Sequence, residues 1–294
     1  MGGTGERGER GEMGGTSTPD GTGGSAPVVP AVPAVLVVQH EEDAGPGLVG
    51  ERLLAAGLRL DVVRAWLGEP FPDDLRGHAG LLVLGGSVGC RDDRAAPWLP
   101  RVRTLVREAV ADEVPLLGIC LGGQIVADAL GGSVVTRARG PELGAVPLRR
   151  LAAVDGDAVL GGVPEGAPAA QWHWDEVDRL PIGAVPLLSG DDCPYQAFKV
   201  GRAGWGLQFH PEAGAGTVAR WAEADDAQVR ADGGDPATVV ASVREAEPEL
   251  RTVWGTVSEA WGAVVLRHMG ADTHVRAGCA TGASAWRDGG RGVV

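Results

Sequence analysis

Two short stretches of this sequence hold residues that could act together on a carbonyl group. The first is Val114-Pro115-Leu116-Leu117-Gly118-Ile119-Cys120-Leu121-Gly122-Gly123-Gln124. An apolar run ends at a cysteine, and the glycines around it permit a sharp turn before a helix begins. This is the Gly-x-Cys-x-Gly form of a nucleophile elbow, in which small neighbours let the chain turn tightly and expose the nucleophile. A helix N-terminus facing the sulfur favours its thiolate. The second stretch is Gly206-Leu207-Gln208-Phe209-His210-Pro211-Glu212. Here a strand ends at a histidine, Pro211 stops it, and Glu212 stands where its carboxylate could orient the imidazole. Taken singly, a cysteine at a strand end packs in a core and a histidine there sits on a surface. Taken together, Cys120, His210 and Glu212 have the types needed for a nucleophile, a general base and an orienting acid.

Residues so far apart in sequence need a framework to bring them together. Strand and helix signals alternate over the first half of the chain. Residues 34–38, 58–63 and 80–84 read as strands, and 48–56 and 97–111 as helices, the latter from Leu99, Val102, Leu105, Val106 and Ala109. Continuous apolar strands separated by helices indicate a parallel sheet covered on both faces. After Gly131 the pattern changes to short strands with Pro/Gly turns, near 144–150, 185–189, 195–199 and 204–209, which should extend or flank the sheet with partly antiparallel pairing. Leu250, Val253, Trp254, Val257, Trp261 and Val264 then form a helical stripe. That stripe packs on the main domain or, as the alternative, meets a partner subunit. Residues 1–31 and 268–294 lack apolar periodicity and read as disordered tails. The intervening chain divides into a domain over 32–220 and a helical extension over 221–267.

Composition removes several classes of function. The chain has 294 residues and a formal net charge of -13, which argues against nucleic-acid binding, since phosphate contacts need clustered Lys and Arg. Lys199 is the only lysine, and Val200 follows it, so no Walker A loop exists. Cys90, Cys120, Cys193 and Cys279 form no Cys-x-x-Cys pair, which suggests neither a zinc knuckle nor a disulfide framework and fits reduced thiols in a cytoplasmic setting. The apolar run from 28 to 38 is interrupted by Pro30 and Pro33 and follows an acidic segment, so it reads as a linker into the first strand rather than a signal peptide. No stretch approaches the length of a membrane span.

Gly118-x-Cys120-x-Gly122-x-Gln124 together with Gln208-Phe209-His210-Pro211-Glu212 strongly resembles the class I (triad) glutamine amidotransferases. Within that family the chain is most similar to the stand-alone members that are like the glutaminase domain of GMP synthase. The resemblance covers roughly 34–220. It implies a flavodoxin-like, mostly parallel sheet with helices on both faces. It also implies attack by Cys120 on the glutamine side-chain amide, a γ-glutamyl thioester, and release by water, with no cofactor and no metal. Gly85-Gly86-Ser87 looks like the family's oxyanion loop, with the amides of Gly86 and Leu121 as donors. Gln124 matches a substrate-contacting glutamine, and Trp172-His173-Trp174-Asp175 resembles the segment that holds the α-amino and α-carboxylate ends of the substrate. Tyr195-Gln196-Ala197-Phe198 looks like the strand beside the glutamine site. Read from the residues alone, 172–175 could equally be an aromatic hairpin cap.

The longer family members carry a synthetase signature of the Ser-Gly-Gly-x-Asp-Ser kind, which this sequence lacks. The resemblance therefore implies a partner in the form of a separate synthetase or acceptor subunit. Two alternatives stay open at this point: a free-standing hydrolase of other γ-glutamyl amides or peptides, and a non-catalytic module that kept the fold.

Overall fold

The structure is a computed structural model that describes the backbone of residues 32–281 and the side chains of residues 32–269. Its first half alternates strand and helix: β1 (Ala34–Gln39), α1 (Gly47–Ala55), β2 (Arg59–Arg64), β3 (Gly80–Val83), α2 (Leu99–Ala111), β4 (Leu116–Ile119) and α3 (Leu121–Ala129). Short strands follow before the chain returns to helix. They are β5 (Ser133–Thr136), β6 (Glu142–Pro147), β7 (Arg149–Arg150), β8 (Pro168–His173), β9 (Asp175–Arg179), β10 (Val185–Ser189), β11 (Ala197–Val200) and β12 (Gly204–Leu207). Three helices complete the described chain: α4 (Ala215–Ala224), α5 (Asp226–Ala231) and α6 (Pro236–Thr281).

The main sheet runs β2-β1-β3-β4-β12-β11-β10-β7. Strands β2, β1, β3, β4 and β12 are mutually parallel, and β11, β10 and β7 continue the sheet antiparallel. Two antiparallel pairs, β5 with β9 and β6 with β8, stand beside it. The mostly parallel sheet expected from the alternating pattern is therefore present, together with its antiparallel flank.

Strand alternation divides the interior in two. Val35 and Val37 enter a core shared with Leu48 and Leu53 of α1 and with Trp254 and Trp261 of α6. Leu36 and Val38, one residue out of phase, enter the other core with Leu99, Val102 and Leu105 of α2 and Ile125 of α3. A period of two in a strand buried on both faces produces this division.

The stripe on α6 is spent inside this chain. Leu250, Trp254, Val257 and Trp261 are buried, and Trp254 donates its indole N–H to the Pro168 carbonyl at 2.9 Å. Phe209, next to the candidate base, packs on Trp254 with ring centroids 4.4 Å apart. Two helices run across the expected boundaries at 220 and 268. The limit at 220 lies inside α4, and α6 continues to Thr281 rather than giving way to a tail at 268. The tail expected over 1–31, and the part of the other beyond 281, lie outside the described residues.

Candidate active site

Four parallel strands end on one side of the sheet, the side where open α/β sheets bind ligands. The end of β1 supplies His40 and Glu41, the end of β3 supplies Gly85, Gly86 and Ser87, β4 ends at Cys120, and the chain beyond β12 brings in His210.

Cys120 sits between β4 and α3 with φ 50 and ψ -108. Among the described residues only Glu113 shares a positive φ without being glycine, and such strain tends to persist where function requires it. The surrounding glycines are needed for close approach. A Cβ at Gly118 would come within 2.5 Å of the Gly122 carbonyl oxygen, one at Gly123 within 2.5 Å of the Leu207 oxygen, and one at Gly122 would collide with the Val83 oxygen. Strand β4, helix α3 and strands β3 and β12 can therefore meet only if these positions carry no side chain.

His210 and Glu212 are both buried. His210 Nδ1 lies 2.7 Å from Glu212 Oε1, while His210 Nε2 and Glu212 Oε2 have no hydrogen-bond partner. Burial is the largest influence on the imidazole and would lower its pKa. The charge of Glu212 and then of the Cys120 sulfur outweigh it, and the net result lies well above the ordinary 6.5. Gly85 makes room for the pair: a Cβ there would lie 3.0 Å from His210 Cε1 and 3.6 Å from Cys120 Cβ. Trp221 covers the other side of the ring, with centroids 4.6 Å apart.

Gly86, Leu121, Gln124 and residues 172–175 lie around this pair, whereas Tyr195 and Phe198 pack in the core on the α2 face. Gly86 is pressed between His40 and Leu121, with an added Cβ 2.9 Å from His40 Cβ and 3.0 Å from Leu121 Cδ2. Gln124, Trp172, His173, Trp174 and Asp175 border one cavity of about 500 Å³ with Cys120 and His210. Their polar atoms are largely engaged in building its wall. Gln124 Nε2 donates to the Asp175 carbonyl at 3.0 Å, and the two nitrogens of His173 meet the same carbonyl and Glu142 Oε2, each at 2.9 Å. The indole N–H groups of Trp172 and Trp174 donate to Asp225 at 3.0 Å and Asp232 at 2.7 Å.

Several contributors were not singled out from the sequence. Glu41 accepts hydrogen bonds from the Ser87 amide at 3.1 Å and its hydroxyl at 2.6 Å, so it fixes the loop after β3. His40 accepts from Trp98 Nε1 at 2.9 Å, and burial pushes its pKa down to about 4. Gln208 donates toward the Cys120 sulfur at 3.9 Å. The signal for His40 and Glu41 was their place directly after the first parallel strand.

A cysteine on a strained elbow stands beside a buried His–Glu pair at the carboxyl ends of a parallel sheet, the set of groups that thiol-dependent acyl transfer requires. The chain belongs to the class I glutamine amidotransferase family: the family's sequence pattern, Glutamine amidotransferase class-I, matches residues 49–221. It is 33% identical over 142 residues to a glutamine-hydrolysing GMP synthase subunit from Methanopyrus kandleri, covering 48% of this chain and 71% of that one. Against a GMP synthase from Porphyromonas gingivalis it is 34% identical over 142 residues, 48% of this chain but only 26% of that protein, so it spans about a quarter of that longer relative. A glutamine amidotransferase structure from Thermotoga maritima superimposes with a TM-score of 0.70 at 29% identity, covering 80% of this chain and 98% of the other. No helix among the described residues is long and apolar enough to cross a membrane.

Proposed function

We propose that Cys120 attacks the side-chain amide of a glutamyl substrate, with His210 moving the protons and Glu212 orienting and charging the imidazole. The observation that carries this reading is the elbow sulfur set beside a buried imidazole whose far nitrogen is held at 2.7 Å by a carboxylate. The amides of Gly86 and Leu121 serve as oxyanion donors, a contribution of about a hundredfold to a thousandfold each in rate. The wall from Trp172 to Asp175, braced by Gln124, holds the glutamyl end. The names of the relatives favour glutamine as donor, with ammonia passing to a separate acceptor chain. An acceptor that orders the loop after Gly85 would raise kcat more than it changes KM, because oxyanion donors act mainly in the transition state.

The test is ammonia release from glutamine by the purified chain, with Cys120→Ser as control and with candidate acceptor enzymes added. Release that depends on Cys120 is expected, and turnover that survives in the variant would overturn the assignment. A second reading, hydrolysis of larger γ-glutamyl amides by this chain alone, is favoured by the pocket wall. Ala224, Asp225 and Gln228 border the cavity but lie beyond the family match at 221, and the volume they help enclose is roomier than glutamine alone requires.

A further inference from the structure

The lining of the catalytic cavity carries four carboxylates, Glu41, Asp43, Asp175 and Asp225, and no lysine or arginine. None of the four has a basic ion-pair partner among the described residues, whose salt bridges lie elsewhere. Three of them are held in place by neutral donors. Glu41 is bound by Ser87, Asp225 accepts the Trp172 indole N–H, and Asp175 accepts the Thr136 hydroxyl at 2.8 Å. Neutral donors fix the position of a carboxylate without cancelling its charge.

The same cavity is bordered by Trp172, Trp174 and Trp221. Trp172 stands edge-on to Trp174 with centroids 6.0 Å apart and packs against Trp221 at 6.2 Å. Indole rings beside uncompensated carboxylates attract a cation by two routes, through the ring quadrupole and through charge. That this is a substrate cavity is indicated independently by His210, which borders it buried, with Nε2 unpartnered.

We propose that the amide cleaved by this site carries a cationic leaving amine, so that the preferred substrate class is the γ-glutamyl amide of a diamine or polyamine. This rests on the reading of Cys120 as the nucleophile of an amide hydrolase. The Cys120 sulfur bonds to the γ-carbonyl carbon, the carbon–nitrogen bond breaks, and the departing amine takes a proton from His210. Water then bonds to the same carbon, gives a proton to His210 and expels the sulfur, leaving glutamate and the free amine. With Trp172 to Asp175 holding the glutamyl end and its α-ammonium, the distal ammonium, which takes no part in the chemistry, lies among Glu41, Asp43 and Asp225 and beside Trp221, and contributes binding that the uncharged side-chain amide of glutamine cannot.

Three synthetic amides of matched length test this on the purified full chain: γ-glutamyl-1,4-diaminobutane, the neutral γ-glutamyl-n-butylamide and the anionic γ-glutamyl-4-aminobutyrate, with glutamine alongside. The expected order of kcat/KM is cationic, neutral, anionic, with the cationic amide ahead of the neutral one by roughly tenfold, the scale of a partly screened ion pair joined to a cation–π contact. Asp43→Asn and Asp225→Asn should each narrow that ratio. Equal rates for the cationic and neutral amides, or a faster anionic one, would overturn the proposal. Glutamine cleaved while all three amides are refused would also overturn it and leave the glutaminase reading standing. No release from any of the four compounds would remove both.

Discussion

Two cavities of similar size open on this chain, about 550 Å³ and about 500 Å³, and they treat charge in opposite ways. In the larger, acids and bases cancel: Arg137 pairs with Glu176, Arg139 with Asp192, and Arg149 with Asp191 at its edge. Its charged groups are paired with one another. In the smaller, three of the four carboxylates are held by neutral donors, and of its two buried histidines His173 has both ring nitrogens engaged while His210 leaves Nε2 open. A cleft that leaves its charge and a ring nitrogen unsatisfied is organised toward a molecule it has yet to meet.

The difference can be broken at its strongest point first. Cys120→Ala should lower amide hydrolysis by at least about 10⁴-fold, the scale of losing a covalent nucleophile, while circular dichroism and melting temperature stay near the parent values. Retained turnover would mean that the smaller cavity is not catalytic. Next come the two members of the buried pair. His210→Ala should cost kcat roughly ten- to a hundredfold more than Glu212→Gln, because one group transfers protons and the other only orients and charges it. Equal losses in steady-state kinetics would contradict those roles.

The larger cavity should respond in stability rather than rate. Arg137 is nearly fully buried against Glu176, so Arg137→Ala leaves a part-buried carboxylate without its partner and should cost about 3 kcal/mol by chemical denaturation. A loss of kcat exceeding the loss of stability would show that this cavity too serves the reaction. A further contrast separates the thiols. Burial pushes the Cys90 thiol up to about 11 and raises that of Cys193 as well, so a substoichiometric alkylating glutamine analogue should label Cys120, as read by peptide mass mapping.

The smallest expected effect is on titration. Burial alone would lower His210, but Glu212 and Cys120 hold it above 6.5. Its contribution to stability is therefore complete below the unfolded value and is lost as pH rises through the raised folded one. By NMR, the His210 midpoint should fall in Cys120→Ala and fall further in Glu212→Gln, and an unmoved midpoint would remove the electrostatic account.

The chemistry-bearing residues were legible because the elbow and the strand-end histidine impose local sequence rules. A glycine is required where a strand and a helix touch, and a proline stops the strand at the base. The parallel strands were legible because burial on both faces leaves apolar runs. Strands β8 and β9 were not, and the reason is local. One starts at Pro168 and runs through two alanines, and the other is Asp-Glu-Val-Asp-Arg, so neither has the β-branched content that marks a strand; each is held by its partner strand. Glu41 was missed because it acts through the loop after β3, whose nearness to β1 follows from strand order, and strand order is not written in either segment.

The packing of α6 on α1 bears on how the molecule reaches this state. Arg52 meets Glu259 across 207 positions of sequence, and Leu53 shares a core with Trp254 and Trp261. During synthesis α1 emerges first and holds an uncovered greasy face until some two hundred residues later its lid arrives. Contacts this distant in sequence form slowly, and the intermediate awaiting them is aggregation-prone. A ribosome stalled before Leu250 would thus display a nascent chain whose α1 still lacks the cover of Trp254 and Trp261, a natural client for a chaperone.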